Sequence, residues 1–201
     1  TGQAYVASCE THWTRGADYY TIPWRGKLKI ELGGVLLSQA IHLHDMMCAL
    51  MGQPERVYVE TATRVNPIEV EDCAVATLKM HNGALVTLNC TLGAKREISR
   101  LKACFEHVTI TSHHEAYAPG NDPWQFDCAP TPQGDAVHAA LAKVPTYASR
   151  FKGQMIAYHS ALFKQGPWPV SLAEARQSLE LITAFYESAA THHSVTLPIP
   201  H

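Results

Sequence analysis

The sequence predicts an α+β domain: a mostly antiparallel, open-faced sheet with helices packed on one face. Three observations carry that expectation. Two alternating apolar runs, CAVATLKM and ALVTLNC, flank Asn82-Gly83 between residues 73 and 90, and an Asn-Gly pair suits a tight hairpin turn whose central residues need positive φ. Residues 35–51 repeat apolar side chains in a pattern too broad for a strand and right for a largely buried helix that stops at Gly52. Ser171-Leu-Ala-Glu174 has the spacing of a capping box and precedes another run of helical period.

Taken in order, residues 4–9 read as a first strand. Residues 12–26, HWTRGADYYTIPWRG, read as an ordered functional loop in which Gly16, Pro23 and Gly26 break any regular element. After the helix over 35–51, RVYVETATR (56–64) alternates in the strand manner, the hairpin follows, and two further strands fall within 100–111. Residues 112–135 hold Pro119, Gly120, Pro123, Pro130, Pro132 and Gly134 and read as a long surface excursion. Helices return over about 136–165. A last helix runs from Ser171 to about Thr191, with Leu172, Ala175, Leu179, Ile182, Phe185 and Tyr186 on its apolar side, and a short strand over 195–198 closes the chain. Consecutive strands followed by helices are the α+β pattern. The second face of such a sheet needs a cover, for which a partner domain or a second copy of the sheet is expected.

Composition sets the outer bounds. With 201 residues, 46% hydrophobic and 17% charged, and a formal net charge of -2, the chain is of a size to form one domain over 1–201 with a substantial core. That balance argues against disorder and against attraction to nucleic acid or an anionic membrane. No apolar run reaches the ~18 residues of a membrane span, and no secretory signal is seen. The six cysteines are scattered through apolar runs without a CxxC pair, and they read as reduced core residues of a cytoplasmic protein. Because the chain opens on Thr1 and enters a strand almost at once, an amino-terminal part is expected to precede it.

One ordered series of residues is more specific. Arg15, Tyr19-Tyr20 and Trp24-Arg25-Gly26 are followed by Gly33-Gly34-Val-Leu-Leu-Ser38-Gln39-Ala-Ile-His42-Leu-His44-Asp45, then by Val70-Glu71-Asp72 ahead of the hairpin, and late in the chain by Val170-Ser-Leu-Ala-Glu174 and Tyr186-Glu-Ser188-Ala. The series resembles the Gfo/Idh/MocA family of NAD(P)-dependent oxidoreductases over most of the chain except roughly 112–135. The resemblance implies a carboxy-terminal domain that serves substrate recognition and oligomerisation, while NAD or NADP is bound mainly by an amino-terminal Rossmann domain with a glycine-rich loop and a Glu-Lys-Pro motif. No GxGxxG stands after a strand in these residues, so the chain alone is expected to be inactive.

Oxidising a secondary alcohol requires a group that takes the hydroxyl proton, and an imidazole titrating near neutral pH suits that task. His42 is the candidate. On an unbroken helix Ser38, His42 and Asp45 share one face at i, i+4 and i+7. Where this chain has Ser38 the family usually has Asp or Asn; a hydroxyl orients an imidazole or touches substrate but does not stabilise an imidazolium as a carboxylate would. Asp45 is either its replacement or a structural hydrogen-bonder. Trp24-Arg25 resembles the family's pair that reaches toward the nicotinamide carboxamide. Trp13, Arg15, Tyr19 and Tyr20 are candidates for stacking and hydrogen bonding to a sugar, and Gln39 either faces substrate or supports the helix.

The expected substrate is thus a small polyol, sugar, cyclitol or sugar nucleotide, and the expected partners are a Rossmann domain and a second copy through the sheet face. Two other readings stand beside this one: a non-catalytic sugar-binding or assembly module of the same fold, and a metal-dependent hydrolase using His42, His44 and Asp45. On a helix His42 and His44 lie roughly 200° apart, which disfavours a shared metal.

Overall fold

Strand β1 runs over Ala4–Thr14 and alternates from Ala7 onward, with Ala7, Cys9, Thr11 and Trp13 buried. The computed structural model describes residues 1–145, 147–148 and 150–200. β1 is longer than the strand expected from the sequence, and His12 and Trp13 belong to it rather than to the loop that follows. The segment HWT alternates polar and apolar side chains, so it continues the pleat up to Gly16.

Among the described residues seven further strands complete one sheet: β2 (Pro54–Ala62), β3 (Cys73–Met80), β4 (Leu85–Thr91), β5 (Gly93–Phe105), β6 (Val108–Thr111), β7 (Gln125–Cys128) and β8 (Val195–Thr196). Their order is β7-β6-β5-β1-β4-β3-β2-β8. β1 pairs with β4 in parallel, Val6 facing Leu85. All the other pairings are antiparallel. The β3–β4 hairpin turns at Asn82-Gly83 as expected: Gly83 has φ 87°, a left-handed conformation that a residue without a Cβ adopts at little cost, and the Asn82 side chain donates to Met51 O and accepts from Ala84 N.

The expected helix over 35–51 is two helices, α2 (Val35–Ser38) and α3 (Ile41–Met51), after a short α1 (Leu28–Glu31). The break falls at Gln39-Ala40, where the Ala40 N–H reaches back five residues to Val35 O at 2.9 Å. Such a widened turn shifts the helical phase, which the apolar pattern alone conceals because both pieces bury Val35, Leu36, Leu43 and Met47. The excursion over 112–135 holds β7 and the start of α4 (Pro132–Leu141), and α5 spans Arg150–Phe163.

The last helix, α6 (Leu172–Thr191), begins at the expected capping box, with Ser171 Oγ accepting from Glu174 N and the Glu174 carboxylate accepting from Ser171 N at 2.7 Å. Its apolar side differs from the expected one in the first half. Leu172 is 92% exposed and Leu179 58% exposed, whereas Leu181, Ile182, Ala184, Phe185 and Ser188 are buried. Only the second half of α6 lies on the sheet, over β2.

The core lies between the sheet and helices α2, α3 and α6. The opposite sheet face leaves Val6, Tyr58, Val75 and Leu85 exposed. All six cysteines are free thiols, and burial pushes Cys9 and Cys48 up to about 12, which leaves them unreactive near neutral pH. No helix among the described residues is long and apolar enough to cross a membrane.

Candidate functional site

The glycine pair sets the site's frame. At Gly34 a Cβ would overlap the backbone oxygen of Glu71, and at Gly33 it would overlap the Tyr186 hydroxyl, so both positions exist to let the chain pass close to other backbone and side-chain atoms. The buried Glu71 carboxylate accepts from Gly34 N (2.9 Å), Leu36 N (3.0 Å) and Tyr186 Oη (2.9 Å). It thereby satisfies free N–H groups at the start of α2. Burial raises the Glu71 pKa, the bonds from Leu36, Tyr186 and Gly34 opposing it, and burial likewise pushes the Tyr186 hydroxyl up.

Asp72, fully buried, faces the other way and accepts backbone hydrogens from Arg64, Val65 and Asn66 at 2.7–2.9 Å. It pins the loop between β2 and β3.

Held by this frame, α2 and α3 present Ser38, Gln39 and His42 to a cavity of about 390 Å³. Trp13, Arg15 and Tyr19 form its opposite side, with Ser99 and Tyr117. Trp13 is buried, and its indole N–H donates to Ser99 Oγ at 3.0 Å, so the ring's polar edge is satisfied and its apolar surface faces the cavity. Tyr117 stacks on it at 4.1 Å between centroids.

The Arg15 guanidinium lies 5.0–5.4 Å from the ring centres of Trp13, Tyr19 and Tyr117. It also pairs with Glu97 at 2.9 Å and donates to the Tyr117 hydroxyl. Burial works against that charge, but the bonds to Tyr117 and Glu97 outweigh it, and the Arg15 pKa is raised. The result is a permanent cation set among aromatic faces.

His42 is exposed on α3. Gln39 is buried: its Nε2 donates weakly to Tyr19 Oη at 3.4 Å, and its Oε1 has no partner among the described residues. His44, two residues beyond His42, is turned into the core with its ring edge-on to Phe185, and burial lowers its pKa to about 3. The two imidazoles therefore stand on opposite sides of α3. Among the described residues no group of three or more His, Cys, Asp or Glu side chains is arranged to hold a metal.

The structure brings Trp13, Arg15, Tyr19, Ser38, Gln39 and His42 to one cavity. Four other candidates lie outside it. The Asp45 carboxylate accepts from Ser178 Oγ at 2.8 Å in a separate cleft between α3 and α6, which His42 also borders. The stripe Ser38–His42–Asp45 is thus divided, because the break at Gln39-Ala40 shifts the helical phase. Tyr20 lines a neighbouring cavity, and burial, with Tyr19 second, raises its pKa to about 12. Trp24 is 43% exposed outside both cavities, beneath the Arg25 guanidinium, which lies 4.5 Å from its ring and 3.9 Å from that of Tyr19.

Sequence reasoning missed Tyr117. It comes from the excursion over 112–135, is 102 positions from Arg15 along the chain, and sits at φ 65°. Nothing local in AYAPG announces an aromatic wall for a distant strand. A strained non-glycine residue beside a cavity is, however, a mark of functional sites once coordinates are at hand.

Residues 1–111 match the family described as the GFO/IDH/MocA C-terminal domain. No curated protein sequence matches the chain significantly. Among solved structures, the WlbA dehydrogenase from Bordetella pertussis, in complex with NADH and UDP-GlcNAcA, is similar at a TM-score of 0.76 and 26% identity, covering 99% of this chain and 56% of that one. The WlbA dehydrogenase from Chromobacterium violaceum, in complex with the same two molecules, is similar at 0.76 and 25%, covering 100% and 56%. Levoglucosan dehydrogenase in complex with NADH and levoglucosan shares the fold at 0.72 and 21%, covering 98% and 60%. This chain therefore spans between 56% and 60% of the length of those chains. The sheet, the glycine pair locked to Glu71 and Tyr186, and the match over more than half of its residues make this chain a member of the GFO/IDH/MocA C-terminal domain family.

Proposed function

We infer that this chain is the substrate-binding and oligomerisation domain of an NAD(P)-dependent oxidoreductase acting on a secondary alcohol of a sugar, cyclitol or sugar nucleotide. A Rossmann domain elsewhere in a longer, cytoplasmic protein carries the cofactor. One observation supports this reading above the others: an accessible imidazole, His42, borders the same cavity as the buried indole of Trp13 and the caged guanidinium of Arg15. Aromatic faces bind the apolar faces of a sugar ring, and fixed polar groups orient its hydroxyls.

In this arrangement Tyr117, which covers the buried Trp13 ring, stacks on the substrate ring, and Ser38 orients the His42 imidazole or the substrate hydroxyl. His42 takes the hydroxyl proton as the alcohol becomes a ketone. The nicotinamide, when bound, supplies the acceptor for the hydride. Trp24 and Arg25 fit such a ring: the indole is 43% exposed, the guanidinium is stacked over it, and the buried Arg25 Nε has no partner among the described residues. They would hold the carboxamide edge and exclude water from that side. The exposed sheet face, with Val6, Tyr58, Val75 and Leu85, is the surface for a second copy.

A second reading, a non-catalytic sugar-binding module, is favoured by one feature: Ser38 supplies no carboxylate to His42, and Asp45 is engaged with Ser178. The test is turnover by the full-length protein. Wild type should oxidise a polyol or sugar with NAD or NADP, and His42→Ala should lower kcat by about 10² to 10⁴. Wild-type rates in the variant end the assignment of His42, and binding of sugar without any turnover by wild type favours the module.

A further inference from the structure

A second cavity, of about 580 Å³, adjoins the first, and Arg15 borders both. It is lined by the end of β1 with residues 15–17, by residues 25–27, and by residues 65–68, the last facing Leu92 and the start of β5 at Gly93–Lys95. The loops are pressed together. A Cβ at Gly26 would stand 2.7 Å from Ile68 Cγ2, and one at Gly93 would stand 2.7 Å from Val65 Cγ2. Beneath them Asp72 uses its carboxylate to bind three successive backbone N–H groups, of Arg64, Val65 and Asn66, so one wall is held from inside the domain. The cavity is built rather than a gap between loose loops.

Its charge is one-sided. Arg15, Arg25, Lys27 and Lys95 line it, and among the described residues no Asp or Glu does. Arg15 is matched by Glu97 at 2.9 Å and Lys27 by Glu69 at 3.0 Å. Arg25 reaches Glu31 only at 4.0 Å, and its buried Nε has no partner among the described residues. Lys95 is exposed and has no ion pair among them. Two cations thus face one concave space with little or no counter-charge, the condition under which an oxyanion gains charge-assisted hydrogen bonds without displacing an existing pair.

We propose that this cavity is an oxyanion subsite that holds a phosphate group of the substrate, so that the protein acts on a phosphorylated or nucleotide-linked sugar rather than on a free one. The inference rests on the sugar-binding reading of the first cavity. Arg15 borders both linings, so the two spaces adjoin, and a single ligand with its sugar in the aromatic cavity would place its phosphate in the cationic one. Lys95 acts as the point charge that holds the phosphate, and Arg25, which serves the nicotinamide edge, adds its field.

The test is calorimetric binding of inorganic pyrophosphate to the full-length protein at low ionic strength, alone and with saturating NAD. Wild type should bind pyrophosphate in both conditions, more weakly as salt rises. Lys95→Glu should weaken it at least about tenfold and Lys95→Ala less, with thermal melts and NAD binding unchanged. Absence of binding by wild type overturns the proposal, as does binding that is indifferent to Lys95. Loss of pyrophosphate binding once NAD is present assigns the cations to the cofactor and overturns it too. None of these readouts requires turnover, so the result is separate from that of His42→Ala.

Discussion

Tyr186 donates its hydroxyl hydrogen to the Glu71 carboxylate at 2.9 Å, and the same hydroxyl accepts from Gly34 N at 3.1 Å. Three segments far apart in the chain therefore meet at one buried carboxylate: the glycine pair, the loop before β3, and the last helix. The position of α2, and with it Ser38 and Gln39, depends on this junction. Tyr186→Phe should cost about 1–3 kcal/mol of unfolding free energy, because a buried acceptor loses its partner. Gly34→Ala should cost roughly 3 kcal/mol or more, since the added methyl meets rigid backbone. Denaturant melts of both variants measure this, and a Gly34→Ala protein as stable as wild type would contradict the close approach.

His44 sits in the core with its Nδ1 unpartnered among the described residues and Nε2 4.0 Å from Cys90 Sγ. Its pKa is lowered by burial from the ordinary 6.5 to about 3. A histidine that binds protons less well when folded contributes its full share above pH 6.5 and loses it as pH falls toward 3, because the unfolded chain takes up the proton first. The loss reaches about 5 kcal/mol at about 1.4 kcal/mol per pH unit. Unfolding free energy measured from pH 7 to pH 4 should fall steeply in wild type and less in His44→Leu. Equal slopes would mean that His44 is not the group responsible.

Asp72 accepts three backbone hydrogens from the loop that walls the cationic cavity. Replacing it by Ala should destabilise the domain by about 2–3 kcal/mol and raise hydrogen exchange at Arg64, Val65 and Asn66. Asp72→Asn, which keeps one acceptor oxygen, should lie between. Exchange unchanged at those three amides would remove the pinning role.

Arg15 is bonded at once to Glu97 and Tyr117 and stacked among three rings. Only a planar fork meets all of these, so Arg15→Lys should raise KM for the sugar substrate of the full-length protein about tenfold with kcat nearly unchanged. Tyr117→Phe, which keeps the stack on Trp13 and drops one bond, should have a smaller effect on KM. A kcat loss as large as that of His42→Ala would place Arg15 in the chemical step instead.

Much of the fold is determined by short-range pattern. Alternation marks β1, β2, β3 and β4 because a pleated strand buries every second residue, Asn82-Gly83 sets the hairpin because its turn needs positive φ, and the Ser171–Glu174 box starts α6 because it satisfies free N–H groups at that end. The ordered series from Arg15 to Asp45 was likewise enough to indicate the family. What tertiary structure alone decided are the features that depend on distant partners. The phase shift at Gln39-Ala40 separates Asp45 from Ser38, the junction at Glu71 explains why two glycines stand at 33 and 34, and Tyr117 arrives at Trp13 from a segment with no local signal. Leu172 and Leu179 follow the apolar period of α6 yet stay exposed, because the sheet reaches only the helix's second half. Periodicity is a property of one element, whereas burial and site geometry belong to the elements that meet there, and no local pattern encodes that meeting.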